Sequence, residues 1–412
     1  RPSGGRLLAG LEQRSGCHRR GTPSVISSGS GVRGAARLAV VALVASSVAV
    51  AGVSTPASPQ SRPPADDVVA FDEAPPVSEL TLSPMLADEL TGAARSRFVE
   101  IPAGSVAETL GATVTLELFS DVTVTLEGDP APVEGANGST TWSGLSTDGD
   151  YATFTFINGH TIGTVGVDGA VYVISPVSGK THLIVEDGRV FPNEAEPLPG
   201  DAVPSGQAAW PTRPVAPQAE SLSDPVIDVL IWYDSSARNY FENNAIGDTP
   251  EEQLATTVNL TNAAYANSGV NLSIRSVGIE YVDYTASGDP VTDLDRLAYT
   301  ADGYLDNVHS RRDAVHADLV SLITDLDDVC GIGFLAGSPN GTAGFTVVDA
   351  ACSFSNLSFA HELGHNLGAG HAPGDTTPNV GRYPYSQGYR DPVNGFHTIM
   401  AYNNGCGSCQ RI

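Results

Sequence analysis

The sequence predicts two folded parts, an antiparallel all-β module over residues 66–191 and an α/β domain over residues 226–412. Three observations predict them. Between residues 112 and 185, short runs alternate β-branched and polar positions and are punctuated by Asn-Gly and Asp-Gly pairs that favour tight hairpins. From Val226 onward, extended apolar runs alternate with segments that carry helix start signals, the pattern of an α/β layer. Between the two, prolines 192, 197, 199, 204, 211, 214, 217 and 225 interrupt the chain, which reads as an exposed processing linker where proteolytic nicking concentrates.

The chain start has a different character. Residues 1–37 hold seven arginines and one acid, whereas the whole chain of 412 residues carries a formal charge of −26. A surface so acidic repels phosphate backbones and excludes nucleic acid as a partner. Arg33 and Arg37 precede an apolar run over residues 38–50, and Ala49-Val50-Ala51 supplies small residues before Gly52, which is the layout of a cleaved export signal. The run is too short to span a bilayer, which needs about 20 helical residues. Residues 1–51 are therefore read as an upstream segment and signal peptide. The true start is expected near Val32, because the first methionine is Met85. Residues 52–65 are a Pro/Ser/Ala-rich linker.

Five cysteines are present, and Cys17 leaves with the leader. Cys330, Cys352, Cys406 and Cys409 remain, an even number suited to two disulfides in an oxidising compartment. The favoured pairing is Cys330–Cys352 and Cys406–Cys409, because each closes a short loop. The expected location is secreted, with no membrane span once the signal is removed.

In the β module, strands are expected at residues 112–119, 122–126, 151–157, 161–167, 170–174 and 181–185, with turns at Asn158-Gly159, Asp168-Gly169 and Asp187-Gly188. His160 and His182 stand alone there. In the second part, residues 226–233 form a strand. Thr249 caps a helix that Pro250, Glu251 and Glu252 open, that runs to Asn267 and that Gly269 ends. A strand over 271–284, a mostly helical stretch over 291–312, a strand over 318–324 and short strands over 331–336 and 345–349 follow.

The chemistry lies in His361-Glu362-Leu363-Gly364-His365-Asn366-Leu367-Gly368-Ala369-Gly370-His371. Histidines four apart on a helix project from one face, one turn above the other. Two imidazole nitrogens can then share one cation at about 2.0–2.1 Å. Glu362 stands close enough to reach a water there without ligating. Gly368 can take positive φ and stop the helix, returning His371 as a third ligand. Three protein ligands leave one position open, the catalytic and not the structural zinc arrangement. Five fixed residues in this register arise by chance in roughly one chain in 10⁵. His309, His316 and His397 lack ligand spacing and read as surface or packing residues.

This motif, followed by Thr398-Ile399-Met400-Ala401-Tyr402, resembles the metzincin zinc endopeptidases with their Met-turn. Cys330-Gly331-Ile332-Gly333, Cys352, Phe396-His397-Thr398 and Cys406-x-x-Cys409-Gln410-Arg411-Ile412 make it most similar to the reprolysin-like bacterial peptidyl-Asp metalloendopeptidases. The resemblance covers residues 226–412. It implies a metzincin-like α+β or α/β catalytic domain, a mixed twisted sheet with an active-site helix and Met-turn, preceded by an antiparallel all-β propeptide. It implies Zn²⁺ on His361, His365 and His371, Glu362 as general base, Met400 as an apolar floor, and Tyr402 as a wall residue or a group reaching the oxyanion. Residues 331–336 become the sheet edge that pairs with extended substrate. Protein or peptide substrates cut beside acidic residues would need a cation; Arg382, Arg390 and Arg411 are candidates, with Arg390 favoured.

Two departures stand out. Ala372 follows the third histidine where reprolysin-like enzymes usually carry Asp, with Asp375 nearby. The chain also stops soon after the Met-turn, so a C-terminal truncation is expected. The propeptide is expected to inhibit in cis, but not through a thiolate, because no Cys occurs between residues 52 and 329. A catalytically silent zinc-containing binding module is the alternative, and a zinc hydrolase of non-peptide substrates a third reading. Intact Glu362 weighs against the former, and the third histidine with the Met-turn against the latter.

Overall fold

The computed structural model describes residues 67–74, 83–101, 112–128, 133–200, 225–242, 249–335, 343–375, 381–404, 406 and 409–411. The export signal, the 52–65 linker and residues 201–224 of the processing linker lie outside them. By its contacts the chain divides into residues 1–62 and one compact unit, Pro63–Ile412. No helix among the described residues is long and apolar enough to cross a membrane.

The first part is an 11-stranded sheet. Strands Tyr151–Ile157, His160–Val167, Ala170–Ser178 and Thr181–Asp187 pair antiparallel in succession. Asn158-Gly159 and Asp168-Gly169 both have positive φ at each residue, which matches the right-handed strand twist. Three expectations are corrected. Asp187-Gly188 makes no hairpin; Gly188 N–H donates to Gly92 O at 3.0 Å and the chain leaves the sheet. One pairing is parallel, Asp67–Ala70 with Thr113–Phe119. The module also contains a helix, Pro84–Gly92, started by Pro84 and capped by Ser83 Oγ, which accepts from Leu86 N–H at 3.2 Å.

The second part is a six-stranded mixed sheet. Val226–Tyr233 lies parallel between Ser273–Tyr281 and Leu319–Thr324, and Phe345–Asp349 continues parallel. Gly331–Leu335 then adds antiparallel. Helix Pro250–Asn267 has the expected bounds, with Glu252 N–H on Thr249 Oγ1 at 3.3 Å. The expected helical stretch 291–312 is instead two helices, Pro290–Ala298 and Val308–Val315. Helix Ser235–Phe241 was not anticipated; Asp234 caps it, accepting from Ser236 and Ala237 N–H at 3.0 Å each.

The two parts share one core. Met85, Leu86, Ile162, Val173 and Leu183 of the module cluster with Val229, Ile231, Val258, Phe359 and Leu363. Helix Pro250–Asn267 is held between them by polar bonds as well. Asn259 accepts from Ala136 N–H at 2.9 Å, and His160 Nδ1 lies 3.2 Å from Glu252 Oε2.

The processing linker is not exposed throughout, as its composition suggested. Residues 193–200 lie along Gly331–Leu335: Leu198 and Pro199 pair parallel with Phe334 and Leu335. Cys330 N–H donates to Asn193 O at 3.2 Å, Ala195 N–H to Gly331 O at 2.8 Å, and Gly200 N–H to Leu335 O at 2.9 Å. Glu194 and Gly200 are buried. Proline tolerates this position because an outermost strand has an unused N–H side.

Both disulfides form as paired in the sequence reading, Cys330–Cys352 and Cys406–Cys409. Cys330–Cys352 ties the start of Gly331–Leu335 to the short helix Ala350–Ser353 that precedes the histidine helix. Replacing both residues by serine should cost about 2–4 kcal/mol. Denaturant unfolding reads this directly, and an unchanged midpoint would remove the bond from the account.

Candidate metal centre

His361 and His365 project from helix Ser358–Asn366. Three devices fix this helix against the sheet. Asn366 Nδ2 donates to Phe334 O at 2.9 Å, Ala343 O at 3.0 Å and Phe345 O at 3.2 Å. Phe359 and Leu363 enter the shared core. Met400 packs beneath: a Cβ on Gly364 would lie 2.4 Å from its sulfur, so the close approach requires glycine. Gly368 has φ +96° and turns the chain out of the helix, as its place in the motif predicts, so that His371 returns to the site.

The three Nε2 atoms lie 3.0 Å from one another in every pair. His361 Nδ1–H donates to Ile399 O at 2.7 Å and His365 Nδ1–H to Ala369 O at 2.8 Å, which leaves their Nε2 lone pairs facing inward. Burial is the main cause that holds all three rings neutral, with pKa values lowered to about 3. The two inward lone pairs converge with His371 Nε2, and a cation shared by the three nitrogens relieves their repulsion. A triangle of that size has points about 2.0–2.1 Å from every corner, the zinc–imidazole distance. The residues present thus fit a divalent metal.

In the unfolded chain these imidazoles titrate near 6.5, so between that pH and about 3 the unfolded state binds more protons. The metal-free native state should therefore lose stability as pH falls through this window. Thermal unfolding of chelator-treated protein from about pH 7 to about pH 4.5 checks this. A melting temperature that stays level or rises on acidification would contradict it.

Glu362 is fully buried, and neither carboxylate oxygen has a hydrogen-bond partner. Burial, with Glu194 adding to it, holds its pKa well above the usual carboxylate range. Two glycines of the sheet edge make room for it. A Cβ on Gly331 would lie 2.7 Å from Glu362 Oε1 and 2.8 Å from its Cγ, and one on Gly333 would lie 3.1 Å from Oε2. The Gly331-x-Gly333 spacing was visible in the sequence, but its purpose emerges only when edge strand and helix are seen in contact.

Tyr402 packs its ring 4.4 Å from the His371 ring, centroid to centroid. Its hydroxyl donates to the main-chain carbonyl of Glu194 at 2.5 Å. Burial raises its pKa, so it stays a donor. Asp375 anchors this turn, accepting from Tyr402 N–H at 3.0 Å. Ala372 is buried.

Arg390, the favoured cation for an acidic side chain, is placed elsewhere. It pairs with Asp375 and donates to Tyr402 O and Pro373 O, both at 3.1 Å, so its donors brace the wall. Arg382 stacks on Tyr383. Arg411 approaches the histidines instead, with Nη2 3.0 Å from His361 Nδ1 and 2.8 Å from Glu194 Oε1. The Cys406–Cys409 disulfide immediately precedes it, and its backbone pairs with His397. His397 is buried with Nδ1 3.1 Å from Thr398 O, in a packing role.

A family model described as Reprolysin_5, metallo-peptidase family M12, matches residues 223–410. The peptidyl-Asp metalloendopeptidase of Stenotrophomonas maltophilia (strain R551-3) is 32% identical over 259 residues, covering 62% of this chain and 60% of that protein. That of Xanthomonas campestris pv. campestris is 32% identical over 251 residues, covering 61% and 58%. That of Pseudomonas fragi is 31% identical over 154 residues, covering 37% of this chain and 78% of that protein. The chain spans about 60% of the length of the first two. With the three histidines converging as this family's motif requires, the chain belongs to metallo-peptidase family M12, in its reprolysin-like group.

Proposed function

We propose that the chain is the precursor of a secreted zinc endopeptidase, with His361, His365 and His371 as metal ligands and Glu362 as general base. The observation that carries this is the triangle of Nε2 atoms at 3.0 Å beside an unpartnered buried carboxylate. Zinc held by the three Nε2 atoms would supply Lewis acidity toward water and the scissile carbonyl. Extended substrate adds to the edge Gly331–Leu335 through main-chain hydrogen bonds. Glu362 takes the proton of the attacking water at its carboxylate and delivers it to the leaving amine. Tyr402 O–H, which donates to a peptide carbonyl at Glu194, offers the same bond to the carbonyl under attack. Met400 keeps the space under the rings apolar.

The leader-like residues 33–51 and the two disulfides support export. Residues 193–200 occupy the edge where substrate would lie, which supports inhibition in cis by the processing segment. The relatives' printed name, peptidyl-Asp metalloendopeptidase, supports cleavage beside acidic residues.

The test is casein and peptide hydrolysis by the protein after it has processed its linker. A strong chelator should abolish turnover, and stoichiometric zinc should restore it. Turnover indifferent to chelator, or metal-loaded protein that never cleaves, would overturn the proposal; the second outcome favours the silent binding module.

A further inference from the structure

Glu194 is a buried acidic residue of the segment on the sheet edge. Its main-chain carbonyl accepts from Tyr402. Its Oε1 accepts from Arg411 Nη2 at 2.8 Å and from Ser358 Oγ at 2.9 Å, and lies 4.0 Å from His361 Nδ1. Its side chain is 2% exposed and that of Arg411 14%.

Besides Glu194, Arg411 donates to two main-chain carbonyls, Asn356 O at 2.6 Å and Ile399 O at 2.7 Å, and its Nη2 lies 3.0 Å from the His361 ring. Among the described residues, Glu194 is the carboxylate that neutralises it. A guanidinium this enclosed is costly without a counter-charge. When the segment leaves after processing, Arg411 and Ser358 remain as a preformed carboxylate receptor beside the histidines, and any extended chain on the same edge can fill it.

We propose that Arg411, with Ser358, is the specificity-determining receptor for an acidic substrate side chain, and that Glu194 holds the precursor latent by filling it as a built-in substrate mimic. This rests on the endopeptidase reading above and deepens it. One cation then serves both states: it retains the segment before processing and selects acidic substrates afterwards. The carboxylate site also explains why latency needs no cysteine.

Two measurements test this, the first on protein that has processed its linker and the second on the full chain. The first compares kcat/KM for two peptides that differ only by Glu and Gln, in the wild type and in Arg411→Gln and Arg411→Lys. The Glu-over-Gln ratio should fall at least tenfold in Arg411→Gln and only in part in Arg411→Lys. An unchanged ratio overturns the assignment. The second needs no turnover. Glu194→Ala leaves a cavity shaped for the missing CH2–COO⁻ group, so acetate should raise its melting temperature where acetamide does not. The effect should vanish in Glu194→Ala/Arg411→Gln. Equal responses to acid and amide overturn the receptor even if no peptide is cleaved, whereas selective rescue by acetate without any cleavage upholds the receptor and overturns only the endopeptidase reading.

Discussion

Replacing Glu362 by Gln is expected to lower kcat for peptide cleavage by about 10²–10⁴-fold while metal binding persists. The amide keeps the shape of the carboxyl but cannot take a proton. The three Nε2 atoms do not depend on it, since they are aimed by Ile399 O, Ala369 O and the Gly368 turn. The variant should also be no less stable than the wild type in the absence of metal, because the buried carboxyl has no hydrogen-bond partner to lose. Steady-state kinetics beside metal content reads both. A variant that cleaves at the wild-type rate would remove Glu362 from the chemistry, and one that loses its metal would show that the carboxyl acts through the ligands.

Gly331→Ala is the second large effect. Its Cβ would stand 2.7–2.8 Å from atoms of the Glu362 side chain, which is fully buried. The carboxylate must move off its position or the edge strand must shift outward. Overpacking of this kind costs about 1–3 kcal/mol. A general base displaced by even 1 Å loses much of its contribution, so kcat should fall at least tenfold. Kinetics and a denaturation midpoint on the same preparation test this. A variant with wild-type kcat would show that the edge strand and the carboxylate are not in contact in the working enzyme. Gly333→Ala provides a graded comparison, since its Cβ would meet Oε2 at 3.1 Å and should disturb the site less.

The parts that were legible in the sequence are those where local rules and tertiary demand agree. Thr249-Pro250-Glu251-Glu252 carries capping and dipole signals on successive residues, and that helix has the expected bounds. Asn158-Gly159 and Asp168-Gly169 encode their turns locally. The histidine spacing specifies a shared cation site without reference to the rest of the chain, and the rings do converge.

What could not be read depends on contacts distant in sequence. Pro197 and Pro199 made residues 192–200 look like open linker, yet proline is compatible with an outermost strand, and Glu194 becomes buried only because Arg411 lies 217 residues away to receive it. Arg390 and Arg411 are equally cationic as letters. Asp375 claims one and leaves the other beside the histidines, a choice that depends on how the Met-turn folds. Helix Pro84–Gly92 was hidden because its signals are Ser83 and Pro84 alone, without acidic residues in its first turn.

The central claim is that His361, His365 and His371 grip one divalent ion. Elemental analysis of the folded, purified full chain tests it most directly. One zinc per chain is expected, lost together with all peptidase activity in His365→Ala. A folded chain that takes up no stoichiometric metal from a zinc buffer, or a His365→Ala variant that binds it as tightly as the wild type, would contradict it.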